Sequence, residues 1–169
     1  MPFKVGEKVV YPNHGVGVIE QITFGTVNSQ PENFYLVRIL ANSLKVTVPV
    51  SNAQLVGLRR IMKASDVPKV LGTLENGKVE SHRDWKARFK QNSEKMRTGS
   101  PYEVAEVLKS LLALSRTKVL SFREKKMLEL ARHLLVNELA IVRGVSEATA
   151  EHILRIALAK SRLQLPEQS

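Results

Sequence analysis

The stretch LKVTVP, Leu44 to Pro49, alternates apolar and polar side chains without a break. Leu44, Val46 and Val48 fall on one face of an extended chain, and the lysine and threonine between them fall on the other. An alternation of period two is typical of a β-strand with one buried face. This stretch therefore predicts that the N-terminal part of the chain folds as a sheet.

Three earlier segments support the same fold for residues 1–60. EKVVYP, VGVIEQITF and FYLVRIL are rich in Val, Ile, Phe and Tyr, which favour strands. Turn-forming residues separate the segments at Asn13–Gly15, Val27–Asn33 and Ala41–Ser43. Four or five short strands with tight turns predict a small barrel or a strongly bent sheet, since such a sheet leaves few open edges.

From about Lys63 the pattern changes to a helical period with marked starts and ends. Pro68 fits the first turn of one helix, and Pro101 the first position of another. Predicted starts lie at Ser65, at Ser81 with Asp84, at the capping boxes Ser100–Glu103 and Ser121–Glu124, and at Ser146; predicted ends lie at Gly77, Gly99 and Gly144.

The predicted fold class is therefore α+β, with a small β-barrel-type domain followed by a C-terminal all-α bundle of about five helices. The join at Gly57–Ser65 is short, so we expect domains at residues 1–62 and 63–169. The last helix is expected to bury a face that contains Ile153, Ile156, Ala157 and Ala159.

The net charge points to a polyanionic partner. Lys and Arg number 26 against 16 Asp and Glu, which gives +10 at neutral pH. Such an excess favours nucleic acid through long-range attraction and counterion release, although an acidic protein or a membrane surface stays open on charge alone. The absence of cysteine and of any long apolar run predicts a cytoplasmic protein without disulfides or a membrane span.

Catalytic and metal-binding motifs do not stand out in the sequence. The four histidines, His14, His82, His133 and His152, lie far apart without metal-ligand spacing. GVGVIE at Gly15–Glu20 lacks the third glycine of a dinucleotide loop and precedes a strand instead of a helix. We therefore expect that the protein is not an enzyme and that it binds neither a metal ion nor a cofactor.

A helix-turn-helix is a second possible interpretation of the C-terminal part, with its turn at Gly144. The residues that would meet base edges include Glu147 and Glu151, whose carboxylates would be repelled by phosphates. An ordinary antiparallel helix pair explains the same spacing and is favoured.

The segment SHRDWKARFK, Ser81 to Lys90, contains the only tryptophan, and two interpretations stay open for it. Trp85, Phe89 and Met96 share one helical face, which is typical of a core. Seven basic and three acidic residues between Lys78 and Arg97 favour instead an exposed aromatic ring among cations, a combination suited to nucleic acid. Periodicity does not choose between the two.

Four separated segments resemble, in order, the CarD family of bacterial transcription regulators. The resemblance extends from Phe3 to about Ala159. The segments are FKVGEKVVYPNHGVGVIEQI, VPVSNAQLVGLR, DWKARFKQNSEKMRTG and LSFREKKMLELARHLLVNELA.

This resemblance implies a Tudor/SH3-like N-terminal domain that docks on the β subunit of RNA polymerase, partly through a sheet edge. The candidate docking residues are Lys45, Val46, Thr47 and Val48. It also implies a helical domain that contacts promoter DNA at the upstream edge of the bubble, largely without sequence specificity, and stabilises the open complex. Trp85 would be a minor-groove wedge there, and the implied phosphate contacts are Lys86, Arg88, Lys90 and Lys125.

The chain departs from the family at Ala87, Gly25 and Thr47, where some members carry arginines. We expect a non-enzymatic, monomeric regulator that associates with the nucleoid through RNA polymerase. A protein-only interaction module with a basic solvated surface is the alternative. Salt dependence separates the two, because phosphate contacts weaken steeply as salt rises.

Overall fold

The computed structural model describes residues 3–76 and 84–167. The chain divides into two compact units, Met1–Ile61 and Met62–Ser169. The predicted helix end at Gly77 and the predicted cap at Ser81 lie outside the described residues. Each unit is built from one type of secondary structure, which confirms the predicted α+β class.

The first unit is a five-stranded antiparallel sheet. Its strand order is β4-β3-β2-β1-β5, so that β4 and β5 are the edge strands. A short 3₁₀ turn, Val50–Asn52, follows β4. The strands are β1 (Lys8–Tyr11), β2 (Gly15–Val27), β3 (Gln30–Ile39), β4 (Lys45–Pro49) and β5 (Arg59–Arg60).

The β2–β3 hairpin is longer than the sequence predicted. The predicted loop Val27–Asn33 is wrong, because pairing continues to Val27 opposite Gln30 and only Asn28 and Ser29 form the turn. These two residues have φ of 51° and 64°, the left-handed values that a tight hairpin turn needs. The longer hairpin carries Phe24, whose side chain is 85% exposed.

One face of this sheet forms the core of the unit. Ile19, Tyr35, Val37 and Ile39 are completely buried there. In β4, Val48 is buried and Val46 half-buried, while Lys45 and Thr47 are exposed, so the predicted alternation is confirmed from Lys45 to Val48. It is wrong for Leu44, which lies before the strand and is 45% exposed. A bulge between Ile19 and Gln21 shifts the register of β2.

Within residues 62–76 and 84–167, the second unit contains five helices, the number expected. A 3₁₀ turn, Ala64–Asp66, leads into the first of them. The helices are α1 (Val67–Glu75), α2 (Trp85–Thr98), α3 (Pro101–Ser115), α4 (Phe122–Arg143) and α5 (Glu147–Ala159).

The ends of the helices follow the sequence closely. The Ser121–Glu124 capping box is present, and the Ser146 side chain accepts a hydrogen bond from the backbone of Thr149. Gly99 and Gly144 end their helices with φ of 71° and 65°. The capping box predicted for Ser100–Glu103 is wrong, because the Ser100 side chain makes no capping hydrogen bond, although Ser100 is the residue before the helix.

The helical core is largely aliphatic. Leu108 and Leu111 of α3 and Leu154 and Leu158 of α5 are almost completely buried. The predicted buried face of α5 is wrong in part, because Ile156 is 52% exposed and Ala159 is also exposed. The buried residues of this helix are Ala150, Leu154, Ala157 and Leu158.

The C-terminal end of α1 is held by side chains from other helices and from the segment after α5. The Lys109 Nζ atom donates to the carbonyl of Thr73 at 2.9 Å, and the Ser161 Oγ atom donates to the carbonyl of Leu74 at 2.7 Å. These bonds satisfy carbonyls that a helix end leaves unpaired. Within the described residues, no helix combines the length and hydrophobicity that a membrane crossing requires.

We expect Gly17→Ala to destabilise the sheet unit by about 1–3 kcal/mol, the usual cost of overpacking. A Cβ atom at Gly17 would lie 2.7 Å from the Val37 Cγ1 atom and 3.0 Å from the Arg38 carbonyl oxygen. Gly72→Ala in α1 is the matched control, because its Cβ would meet nothing within 4 Å. Its expected effect is neutral to stabilising by up to ~1 kcal/mol. Urea denaturation measures both variants, and an equally stable Gly17→Ala protein would contradict this packing.

Candidate nucleic-acid interface

Trp85 is the first residue of α2. Asp84 caps the helix, and its Oδ1 atom accepts a hydrogen bond from the Lys86 backbone nitrogen at 3.0 Å. Asp84 is therefore the helix cap that the structure describes. This cap fixes the start of the helix and therefore the position of Trp85 in its first turn.

The Trp85 side chain is 51% exposed, so the core interpretation of its sequence pattern is wrong. The Lys86 Nζ atom lies 6.0 Å from the centroid of its ring, at the outer limit of a cation–π contact. The buried residues of α2 are Arg88, Asn92 and Met96, spaced four apart. Of the predicted stripe, only Met96 belongs to the core.

Arg88 does not lie on the helix surface as the sequence suggested. Its side chain is buried, and its Nε and Nη2 atoms donate to the Glu124 Oε2 atom at 3.3 and 3.2 Å. A buried guanidinium needs a compensating charge, and the carboxylate at the start of α4 supplies it. The expectation that Arg88 stands beside Trp85 as an exposed cation is thus wrong.

Glu124 connects the start of α4 to α2. Its Oε1 atom accepts a hydrogen bond from the Ser121 backbone, and the Ser121 hydroxyl accepts one from the Glu124 backbone, each at 3.2 Å. Burial alone would raise the pKa of Glu124, but the bonds from Ser121 and Arg88 together hold this pKa below the ordinary value of 4.5. The carboxylate is therefore ionised at neutral pH, as the ion pair requires.

A second contact joins the same two helices. The Arg123 guanidinium lies 4.4 Å from the centroid of the Phe89 ring, within cation–π distance. Phe89 is half-buried and Arg123 is exposed. The first turns of α2 and α4 are thus neighbours, although the sequence separates them by more than thirty residues.

The start of α4 displays a second aromatic residue that the sequence reasoning missed. Phe122 is 71% exposed, and the Lys126 Nζ atom lies 4.6 Å from its ring centroid. The position directly after the capping serine did not reveal this exposure, because Pro101, which follows Ser100 in the same way, is buried. Lys125 is also exposed and lines a groove together with Lys118 and Val119.

These exposed residues form what we call the basic-aromatic cluster. Residues 116–126 contain five basic residues and one acid, and that acid is the paired Glu124. Both helix starts also carry the partial positive charge of the helix dipole. The cluster therefore presents aromatic rings within a positive field. Its members are Trp85, Lys86, Lys90, Phe122, Arg123, Lys125 and Lys126.

The predicted docking residues lie in the other unit, on the edge strand β4. The Lys45 Nζ atom is 3.2 Å from the Glu20 Oε1 atom, and the Arg38 Nε atom is 2.7 Å from the Glu20 Oε2 atom. Lys45, followed by Arg38, lowers the pKa of the Glu20 carboxyl group. The charge of Lys45 is thus shared with an acid on the same sheet.

No group of three or more His, Asp or Glu residues within residues 3–76 and 84–167 is arranged to hold a metal ion. The described sites offer aromatic rings, cations and an edge strand.

Comparison with known proteins identifies both units. Residues 3–62 match the CarD-like/TRCF RID domain, and residues 69–155 match the CarD C-terminal domain. The "Putative transcription factor YdeB" of Bacillus subtilis (strain 168) is 30% identical over 145 residues, which cover 86% of this chain and 95% of that protein. A solved structure, CdnLNt from Myxococcus xanthus, shares 40% identity, covers 37% of this chain and 87% of its own, and has a TM-score of 0.31.

The chain belongs to the CarD family, because the two domain matches together span most of its length. This result confirms the resemblance found in the sequence.

We expect Arg88→Met to destabilise the helical unit by about 3–5 kcal/mol at neutral pH, because it leaves the Glu124 carboxylate buried without its cation. The pKa of Glu124 is lowered in the folded state. Ionised Glu124 therefore contributes its full stabilisation at pH values above 4.5, the pKa of this group in the unfolded chain. That contribution is lost as the pH falls through the lower pKa of the folded protein.

The difference in unfolding free energy between wild type and Arg88→Met should consequently shrink below about pH 4.5. Denaturation curves recorded across this range measure it. Lys90→Met is the matched control, since it removes an exposed cation from the same helix. A difference that stays constant with pH would contradict the role given to the ion pair.

Proposed function

We propose that this protein regulates transcription by docking on the β subunit of RNA polymerase and stabilising the promoter open complex through DNA contacts at the upstream edge of the bubble. The observation that carries the proposal is the half-exposed Trp85 within a cluster of cations. Residues 63–169 would contact the DNA, and residues 1–62 would contact the polymerase.

An exposed indole ring fits a minor-groove wedge. Inserting an apolar side chain between base pairs costs a few kcal/mol of unstacking energy. At the edge of a transcription bubble, melting has already disturbed the stacking, so the cost there is smaller. Trp85 would hence prefer the open promoter to intact duplex, and this preference is what shifts the equilibrium.

The proposal requires that the wedge be rigid, and the Arg88–Glu124 pair supplies this rigidity. Arg88 lies less than one helical turn after Trp85, so fixing the arginine also fixes the direction of the tryptophan. Arg88 is accordingly a positioning residue here and would not contact a phosphate directly. The exposed Lys86 and Lys90 of α2, with Lys125 of α4, remain the phosphate contacts.

The second exposed aromatic residue extends the proposed DNA contact. Phe122, with Lys126 over its ring, repeats the pairing of Trp85 with Lys86. Cations hold phosphates without reading sequence, and aromatic rings stack on any base. Such a surface suits a factor whose position on the promoter is set by the polymerase.

The polymerase contact is supported by the match of residues 3–62 to the RID domain. The edge position of β4 would let a polymerase strand pair with the backbone of Lys45, Val46, Thr47 and Val48. Since Val46 and Val48 face the core, this contact would use the backbone and the outward side chains of Lys45 and Thr47.

We expect Trp85→Ala to shorten the lifetime of the open complex on a ribosomal-RNA-type promoter with cognate polymerase. A loss of ~1.4 kcal/mol of preference for the open state would lower the equilibrium constant for promoter opening about tenfold. The measurement is open-complex decay after challenge with a competitor, with the wild-type protein and the variant at equal concentration.

Ile156→Ala is the matched control for this experiment, because Ile156 is as exposed as Trp85 but lies on α5. Thermal melting verifies that both variants are folded. If folded Trp85→Ala preserves the wild-type lifetime, Trp85 is not the wedge. If neither wild type nor variant changes the lifetime, the open-complex function itself is wrong.

Salt dependence tests the phosphate contacts against the protein-only alternative. We expect affinity for a fork-junction DNA to fall steeply with salt, and Lys90→Ala to reduce the slope of log K against log salt by about 0.9, the value for one lost phosphate contact. Lys4→Ala removes an equal, exposed charge from the sheet unit and should leave the slope unchanged. A protein-only module predicts no difference between the two variants.

A further inference from the structure

The outer face of the sheet, opposite the core, carries an apolar patch. Phe34, Leu36 and Pro49 lie on this face, each only partly exposed. Cross-strand pairing aligns Phe34 with Thr23 on one side and Pro49 on the other. Phe34 and Leu36 do not belong to the core cluster of this unit, so their apolar surface has no role in the core.

The Phe34 ring lies over the backbone of Gly25. A Cβ atom built on Gly25 would be 2.8 Å from the Phe34 Cε2 atom, closer than packed atoms approach. The ring therefore occupies the space that any side chain at position 25 would need. Gly25 is thus required for this position of the ring, which a larger residue would displace.

The charges around this patch, those of Glu20, Glu32, Arg38 and Lys45, sum to zero. Glu20 is paired with both Arg38 and Lys45. The Glu32 Oε2 atom accepts a hydrogen bond from the Ser51 hydroxyl at 2.5 Å. A partner on this face would therefore meet mainly apolar surface, and its binding would depend little on ionic attraction.

The patch is continuous with the edge strand β4. Leu36 of β3 pairs with Thr47 of β4, and Phe34 of β3 pairs with Pro49 of β4. The outer face of β3 therefore continues onto β4. A strand added beside β4 would direct alternate side chains onto the same outer face. The patch and the open edge together form one surface that matches an extended strand with apolar side chains on one face.

We propose that Phe34, held over Gly25, is the apolar anchor by which this protein docks on the β subunit of RNA polymerase. The inference rests on the proposed function and adds the residue that provides most of the side-chain contact. A partly buried aromatic ring at the centre of an interface is a common energetic hot spot. Gly25 and Thr47 bring no charge to this surface, so the docking is tolerant of salt.

The test is the affinity of the full-length chain for cognate core polymerase, at low and at high salt. We expect Phe34→Ala to weaken binding at least about tenfold. Gly25→Ala should also weaken binding to the polymerase, because the new methyl group displaces the Phe34 ring. The clash is with the far end of a flexible side chain, so this variant is expected to fold. Wild-type affinity should change little between the two salt concentrations.

Phe24→Ala is the matched control. Phe24 is an exposed phenylalanine of the same hairpin, but its alternation with Gly25 puts it on the opposite face of the sheet. The affinity of the Phe24→Ala variant for the polymerase should equal that of the wild type. Thermal melting of each variant verifies folding, and if Phe34→Ala is unfolded, Gly25→Ala decides the question.

The outcomes separate this inference from the proposed function. If the wild type does not bind the polymerase, the proposed function fails. If the wild type binds and the folded Phe34 and Gly25 variants bind equally well, the anchor is wrong and docking by another surface stands. Equal losses in the Phe24 and Phe34 variants, or a steep salt dependence of the wild type, also overturn the apolar anchor.

Discussion

The buried ion pair between Arg88 and Glu124 sets the arrangement of the helical site. One carboxylate closes the capping box of α4 with one oxygen and neutralises the guanidinium of α2 with the other. The start of α4 and the position of α2 are therefore coupled through a single side chain. Because an unpaired charge would be costly in this place, the two helix starts stay together, and the rings of Trp85 and Phe122 stay in the solvent.

The two units are suited to different kinds of contact. The helical unit presents aromatic rings and exposed lysines at helix starts, which favour an extended anion. The sheet unit presents an edge strand and an apolar patch whose neighbouring cations are paired with Glu20. The first kind of contact is sensitive to salt and the second is not. In the proposed function, the first surface would hold DNA and the second would hold the polymerase, by forces that respond differently to salt.

Much of the fold followed from local sequence signals. The alternation in LKVTVP, the capping box at Ser121 and the glycines at Gly99 and Gly144 act within a few residues, so their effect is visible without the rest of the chain. The errors arose where the chain could satisfy a local signal in another way. The turn at Asn28 and Ser29 replaced a predicted seven-residue loop, because two polar residues accepted left-handed backbone angles.

By itself, the sequence determined the strands, most helix ends, the family and the basic character of the protein, because period, capping and composition are local or additive properties. Only the tertiary structure decided which side chains of α2 are buried. Helical period grouped Trp85 with the core, yet Arg88 is buried because its counter-charge comes from 36 residues further along the chain. Likewise, Gly25 and Phe34 are brought together by strand register. Burial and contact depend on distant partners, which no local pattern contains.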